Sequence, residues 1–226
     1  MITRKDPLSA DLDVLRADIL SGFRILDAEG QNSGIAGHVT ARSSKTEALL
    51  AHSYGLAFDE VTDSEIHEAT FDLECKSGGK VSPSLAFHVA IYRKNPKIQA
   101  VVHTHGRHAI AIGAAGAHFR PVFQSALMLW DRVSSYDQYD GIVESEEVGR
   151  KMADAIGENQ ILALRNHGII AVGETIREAV CAAVIYEDNC AMQLKAMATG
   201  KVVNLNCKNP RIQLASATVW LRPRNN

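Results

Sequence analysis

His103 and His105 close the stretch Ile98-Gln-Ala-Val-Val-His-Thr-His-Gly106, a hydrophobic run ending in His-x-His. Side chains at i and i+2 of a strand project from the same face. Two imidazoles at a strand end can therefore share one small cation, for which histidine is the usual nitrogen ligand. A second apolar run, Ile161-Leu-Ala-Leu, ends in Arg165-Asn-His167-Gly168 and supplies a third imidazole, again at a strand end. A lone histidine is more often a hydrogen-bonded core residue. Three that each close an apolar run favour a metal site.

Three neutral imidazoles around a divalent ion leave at least one position open for water or substrate. Such a site acts as a Lewis acid on a carbonyl or carboxylate oxygen and stabilises an enolate as it forms. Zinc is the first choice, one ion per chain, with manganese or iron(II) as alternatives, because nitrogen ligands discriminate poorly among them. Hydrogen bonds from neighbours should fix each ring, and Asn166 and Thr104 are the nearest candidates. Gly34–Gly37 and the Ser53-Tyr54-Gly55 turn each offer backbone N–H groups to an anionic substrate, an argument no stronger than their reading as tight turns. His88 falls on the apolar face of its helix and reads as packing. His108 and His118 read as surface or unassigned, and His52 and His67 carry no positional argument. Tyr136, Asp137 and Tyr139 sit in an irregular segment, where polar side chains more often have a functional reason.

The elements that must hold these residues follow from periodicity. Apolar positions from Asp11 to about Glu29 recur at helical spacing, with Ser9 as N-cap and Gly30 as stop. A glycine-rich loop then feeds a strand ending at Arg42, and a second strand spans Glu47–His52. A turn and short helix over Asp59–His67 lead to a strand near Thr70–Cys75, and Lys76–Lys80 has hairpin-loop composition. Ser84 opens a helix that stops at Asn95-Pro96, before the central strand Ala100–Thr104 and a helix over Arg107–Ala115. The segment Arg120–Ser145 reads as irregular. A helix over Glu144–Ile156, a strand over Gln160–Arg165 continued by Gly168–Val172, and a long helix from Thr175 to about Ala198 complete the pattern. The tail from about residue 200, with Pro210, Trp220 and Pro223, is weakly patterned. One α/β domain over 1–226 is the simplest account.

Composition narrows the partners. The net charge is -2 without long basic runs, so neither nucleic acid nor an anionic membrane is indicated. Cys75, Cys181, Cys190 and Cys207 form no C-x-x-C pair, and no stretch reads as a signal core or a membrane span. A small-molecule substrate and a cytoplasmic setting are the expectation.

Several motifs together resemble the class II aldolase/adducin superfamily over roughly residues 10–200. They are Gly37-His-Val-Thr-Ala-Arg42, Tyr54-Gly55 with Phe58-Asp-Glu-Val-Thr62, His88-Val-Ala-Ile-Tyr92, Asn95-Pro96, Ala100-Val-Val-His-Thr-His105, Leu164-Arg-Asn-His-Gly168, Gly173-Glu-Thr175 and Glu178-Ala179. The resemblance implies a three-layer α/β/α fold with a central, mainly antiparallel sheet, and a fourfold homotetramer with active sites at subunit interfaces. By analogy His103, His105 and His167 take the three metal positions, and Gly37, His38, Tyr54 and Gly55 the substrate loops. Two departures matter. The sugar-phosphate aldolases of the family carry an acid–base glutamate where this chain has Ser84, and Gly-Asn where it has Gly37-His38. A serine cannot abstract a proton as a carboxylate does at neutral pH. The segment Tyr136–Ile142 looks closer to the adducin-like and decarboxylase-like branch, some members of which decarboxylate hydroxylated aromatic acids. The expectation is a metal-dependent carbon–carbon lyase, a decarboxylase or atypical aldolase, with Ser84, Tyr136 and Asp137 as catalytic candidates. Tyr136, Asp137 or His38 would return the proton. The alternatives are an oxygenase, isomerase or cyclase on the same histidines, and an adducin-head-like scaffold without catalysis.

Overall fold

The structure is a computed structural model that describes residues 7–43, 47–75, 78–141 and 145–205. Helix α1 (Pro7–Ala28) leads through a short 3-10 turn into strand β1 (His38–Arg42). Strands β2 (Ala48–His52) and β3 (Ile66–Thr70) follow, then α2 (Ala86–Lys94), β4 (Ala100–Thr104) and α3 (Arg107–Ala114). The remainder comprises β5 (Val133–Tyr136), α4 (Glu146–Ile156), β6 (Ile161–Leu164), β7 (Gly168–Gly173) and α5 (Ile176–Ala198). The seven strands form one sheet in the order β3-β2-β1-β4-β7-β6-β5. Only β5 and β6 run parallel among its pairs; the others are antiparallel. Helices cover both faces, so the expected α/β/α architecture holds.

The period of two along each strand sorts side chains between two cores. Val39, Ala41, Ala100, Val102, Ile169 and Ala171 pack with Ile19, Phe23 and Leu26 of α1 and with Ala179, Ala183 and Tyr186 of α5. Val101, Leu162, Leu164, Ile170 and Val172 face the other way, against Phe87 and Ile91 of α2 and Met152 and Ile156 of α4. On β4, His103 shares the parity of Val101 and so points to the α2 side. His38 lies directly opposite it on β1.

Four expectations need correction. Gly168–Val172 does not continue the preceding strand; the chain turns at Arg165–His167 and returns antiparallel as β7. The strand expected near Thr70–Cys75 lies at Ile66–Thr70, because its alternating residues pair with β2, leaving one bridge between Ala69 and Cys75. His67 is consequently a strand residue, and the short helix before it shrinks to a 3-10 turn at Asp63–Glu65. The segment Arg120–Ser145 holds a 3-10 helix, Gln124–Leu129, and the edge strand β5. The short Val-Ser-Ser-Tyr of that strand has no apolar run to announce it. Ser9 lies inside α1 and does not precede it. Part of the Lys76–Lys80 loop, Cys207 and the tail with Pro210, Trp220 and Pro223 lie outside the described residues. Cys75, Cys181 and Cys190 are free thiols. No described helix is long and apolar enough to cross a membrane.

Candidate metal centre

The β6–β7 turn and the end of β4 bring three imidazoles to one place. His167 N–H closes a tight turn onto the Leu164 carbonyl at 3.1 Å, with Asn166 at φ 58, a conformation asparagine tolerates better than most residues. At Gly168 a Cβ would lie 2.2 Å from the Thr104 carbonyl oxygen, so only glycine lets the turn press against the end of β4. His103 and His105 thereby meet His167, with ring centroids 4.6 to 5.1 Å apart. One nitrogen from each ring lies within 4.8 Å of the others.

The neighbours determine which nitrogens are free. His103 Nδ1–H donates to the Ile169 carbonyl at 2.8 Å, which turns Nε2 into the ring's lone-pair nitrogen. His105 Nδ1 shares a hydrogen bond with the Ser33 hydroxyl at 3.2 Å, and its Nε2 is buried without a partner. These two contacts, not Asn166 and Thr104, orient the rings. Thr104 instead donates to Gln31 at 2.8 Å.

Burial holds the group neutral. It lowers His103 well below the ordinary histidine value, with the other imidazoles adding to the shift, and brings His105 down to about 4. His167 is lowered too, by burial. Neutral imidazole with an unpartnered nitrogen is the ligand form of histidine. The donor set therefore fits a divalent cation.

A model of the class II aldolase and adducin N-terminal domain matches residues 17–194. The chain belongs to that family. Similar curated proteins of this family include alpha-adducin of Mus musculus, 28% identical over 193 residues. That match takes 82% of this chain but only 26% of the adducin, so the chain spans about a quarter of that relative's length. The 3,4-dihydroxyphthalate decarboxylase of Rhodococcus jostii (strain RHA1) is 27% identical over 205 residues, covering 84% of this chain and 83% of that protein. Among solved structures, L-fuculose 1-phosphate aldolase from Glaciozyma antarctica PI12 superposes with a TM-score of 0.80 at 24% identity, over 98% of this chain and 86% of that one. At that identity the superposition speaks to the class II aldolase fold alone.

The class II aldolase-like chain has a cavity of about 230 Å³ over its three histidines, lined also by Ile35, His38, Tyr54, Ser82, Ser84, Phe87 and Tyr139. Of the candidates read from sequence, it brings together His38, Tyr54, Ser84, His103, His105 and His167. Gly37 lies just outside. A Cβ there would meet the Phe58 ring at 2.3 Å, so this glycine makes room for core packing. Gly55 follows Tyr54 in the turn but does not line the cavity. Tyr136 does not line it either. Its hydroxyl donates to Asp140 at 2.5 Å, and loss of water together with that carboxylate pushes the phenol up to about 12. Asp137 lines a neighbouring depression with Tyr139, Arg165 and Asn166.

Sequence reasoning missed Ser33, Ile35, Ser82 and Phe87, which adjoin glycine or histidine motifs but carry no spacing signal of their own. It also missed how far the histidines extend. His38 is only 4% exposed, stacks on His103 at 5.8 Å, and leaves Nδ1 buried without a partner. Burial keeps it neutral, with His88, His52 and His105 adding to the shift. His88 is fully buried behind it, bonded through Nδ1 to Thr40 at 2.9 Å. His108 is exposed, as its surface reading expected, and bonds Glu187 at 2.8 Å.

Proposed function

We propose that this chain is a divalent-metal-dependent carbon–carbon lyase, a decarboxylase or atypical aldolase, acting on a small oxygenated acid or carbonyl compound. The observation that carries the reading is the convergence of three neutral imidazoles, with uncommitted nitrogens, beneath a cavity that offers Ser84 and His38 and no carboxylate among its described lining. His103, His105 and His167 would hold the ion, zinc by preference. When bound, the ion supplies Lewis acidity to adjacent substrate oxygens.

The chain's own groups do the remainder. Ser84 and the neutral His38 offer hydrogen bonds to substrate oxygens, Tyr54 and Tyr139 flank the mouth, and Phe87 walls off water from the rings. Decarboxylation needs an electron sink and a later proton donor more than a strong base at the start, which suits a site with serine at the glutamate position. The similarity to a protein named 3,4-dihydroxyphthalate decarboxylase, over most of both chains, supports this choice over a sugar-phosphate aldolase. Tyr136 and Asp137 stand outside the cavity of one subunit, so a part for them in proton return requires the fourfold homotetramer that the family resemblance implies. A cytoplasmic setting suits the free thiols.

Metal analysis of protein purified without chelator should give near one ion per chain, and His103→Ala should abolish it; full retention would sink the reading. Carbon dioxide release from hydroxylated acids by the loaded protein then separates decarboxylase from aldolase. The adducin match favours a second reading, a binding domain without catalysis. Absence of bound metal from the wild-type protein, together with an unaltered fold in His103→Ala, would favour it.

A further inference from the structure

The β6–β7 turn that delivers His167 to the metal cavity also carries Arg165, which faces a different hollow. Arg165 lines a shallow depression with Asp137, Tyr139 and Asn166. Tyr139 also lines the metal cavity, so a single side chain is a wall of both. Arg165 and Asp137 also line a separate cavity of about 280 Å³ with Ser135 and Leu164. Six of the nine other described arginines reach a carbonyl or a carboxylate: Arg16, Arg24, Arg42, Arg93, Arg132 through a glutamine, and Arg150. The Arg165 guanidinium and the Asp137 carboxylate have no hydrogen-bond or ion-pair partner among the described residues, although they share both hollows.

We propose that this depression is a second substrate subsite, in which Arg165 binds a carboxylate remote from the metal-chelating end and Asp137 accepts a hydrogen bond from an adjacent hydroxyl. The proposal rests on the metal-dependent reading above. A guanidinium forks naturally onto a carboxylate. Asp137 beside it disfavours a phosphate dianion, which suffers about twice the repulsion of a carboxylate. The substrate class is then an acid with oxygen ligands at one end and an α-hydroxycarboxylate at the other, and Arg165 is the residue that selects for the second end.

The test is a binding titration on metal-loaded protein with four probes. Glycolate can fill only one of the two sites at a time, tartrate and glucarate carry an α-hydroxycarboxylate at both ends and can bridge them, and 2-phosphoglycolate presents a phosphate. At least one of the two diacids should bind about tenfold or more tighter than glycolate, the worth of a charge-assisted contact. Arg165→Met should reduce that diacid to the level of glycolate while leaving glycolate unchanged, and Arg165→Lys should restore only part, because the fork is lost. Diacids no tighter than glycolate, or an equal loss for all probes in Arg165→Met, would overturn the subsite. A gain confined to 2-phosphoglycolate would also overturn it, as the anchor would then serve phosphate. Glycolate binding that needs His103 but not Arg165 upholds the metal reading even where the subsite fails. Diacid binding that needs Arg165 and survives His103→Ala would do the reverse.

Discussion

The buried polar side chains of α5 and the buried histidines on the α2 side are treated in opposite ways. On α5, Glu187, Asn189 and Gln193 are all buried, and each is engaged with backbone, Glu187 at the start of α3 and the other two in the segment between α3 and β5. Glu187 accepts from His108 N–H at 2.8 Å and Ala109 N–H at 2.9 Å, which caps α3. Asn189 accepts from Val122 N–H and donates to the Arg120 carbonyl; Gln193 accepts from Arg120 N–H and donates to the His118 carbonyl. On the α2 side, His38 Nδ1, His88 Nε2 and His105 Nε2 are buried with nothing to bond. Buried polar groups in proteins are nearly always paired. The saturated ladder is architecture, tying an otherwise irregular segment to a helix. The unsaturated cluster is where the fold has left capacity for something else.

Acid should break this contrast most severely. His52 and His105 are each held down to about 4 by burial, whereas the unfolded chain titrates them near 6.5. Between those values the unfolded state binds more protons, so stability present above pH 6.5 is lost as pH falls toward 4. His52, 4% exposed, would alone account for about 3 kcal/mol, and His38, His88 and His103 shift the same way. The urea midpoint of metal-depleted protein should therefore drop steeply from pH 7 to 4.5. A flat midpoint over that range would mean the cluster is solvated, and the contrast would vanish.

The saturated side yields to mutation instead. Glu187→Ala removes the acceptor of two buried helix-start N–H groups and should cost about 3 kcal/mol, read from the same denaturation at neutral pH. Metal stoichiometry of the folded fraction should stay near that of the wild type, because no metal-candidate histidine bonds Glu187. A combined loss of metal and stability would tie the two groups together more closely than their hydrogen bonds suggest.

How much of this was legible beforehand follows the same division. The apolar runs of β4 and β6 announced themselves, and with them the positions of His103, His105 and His167, because a buried strand writes its period into consecutive residues. The reversal at Arg165–His167 was hidden, since Ile169–Val172 is as apolar as the strand before it. Only the strain at Asn166 and the tight approach at Gly168 expose the turn. The strand β5 escaped because two of its four residues are serines and its single partner is parallel. His38 was legible as a loop residue of the family pattern, but its stacking on His103 depends on the β1–β4 register, which no local spacing encodes. Tyr136, Asp137 and Tyr139 drew notice together as polar residues of an irregular segment, and of the three only Tyr139 lines the cavity.

His38→Phe is the subtlest probe of the contrast. Removing a partnered polar group from a core costs the bond and strands its partner, but His38 has no hydrogen bond to lose at the buried Nδ1. An apolar ring of similar shape relieves an unsatisfied nitrogen and keeps the contact with Phe87 at 6.3 Å between centroids, while the adjoining cavity absorbs the added volume. Stability of the metal-depleted protein should change by less than about 1 kcal/mol in either direction, against several for Glu187→Ala. Binding of glycolate to the loaded protein should weaken, because the ring lines the cavity and a neutral imidazole is the nearest hydrogen-bonding group beside His103. If His38→Phe unfolds the protein as readily as Glu187→Ala, then His38 belongs with the saturated ladder, and a bonded water supplies the partner that its ring lacks.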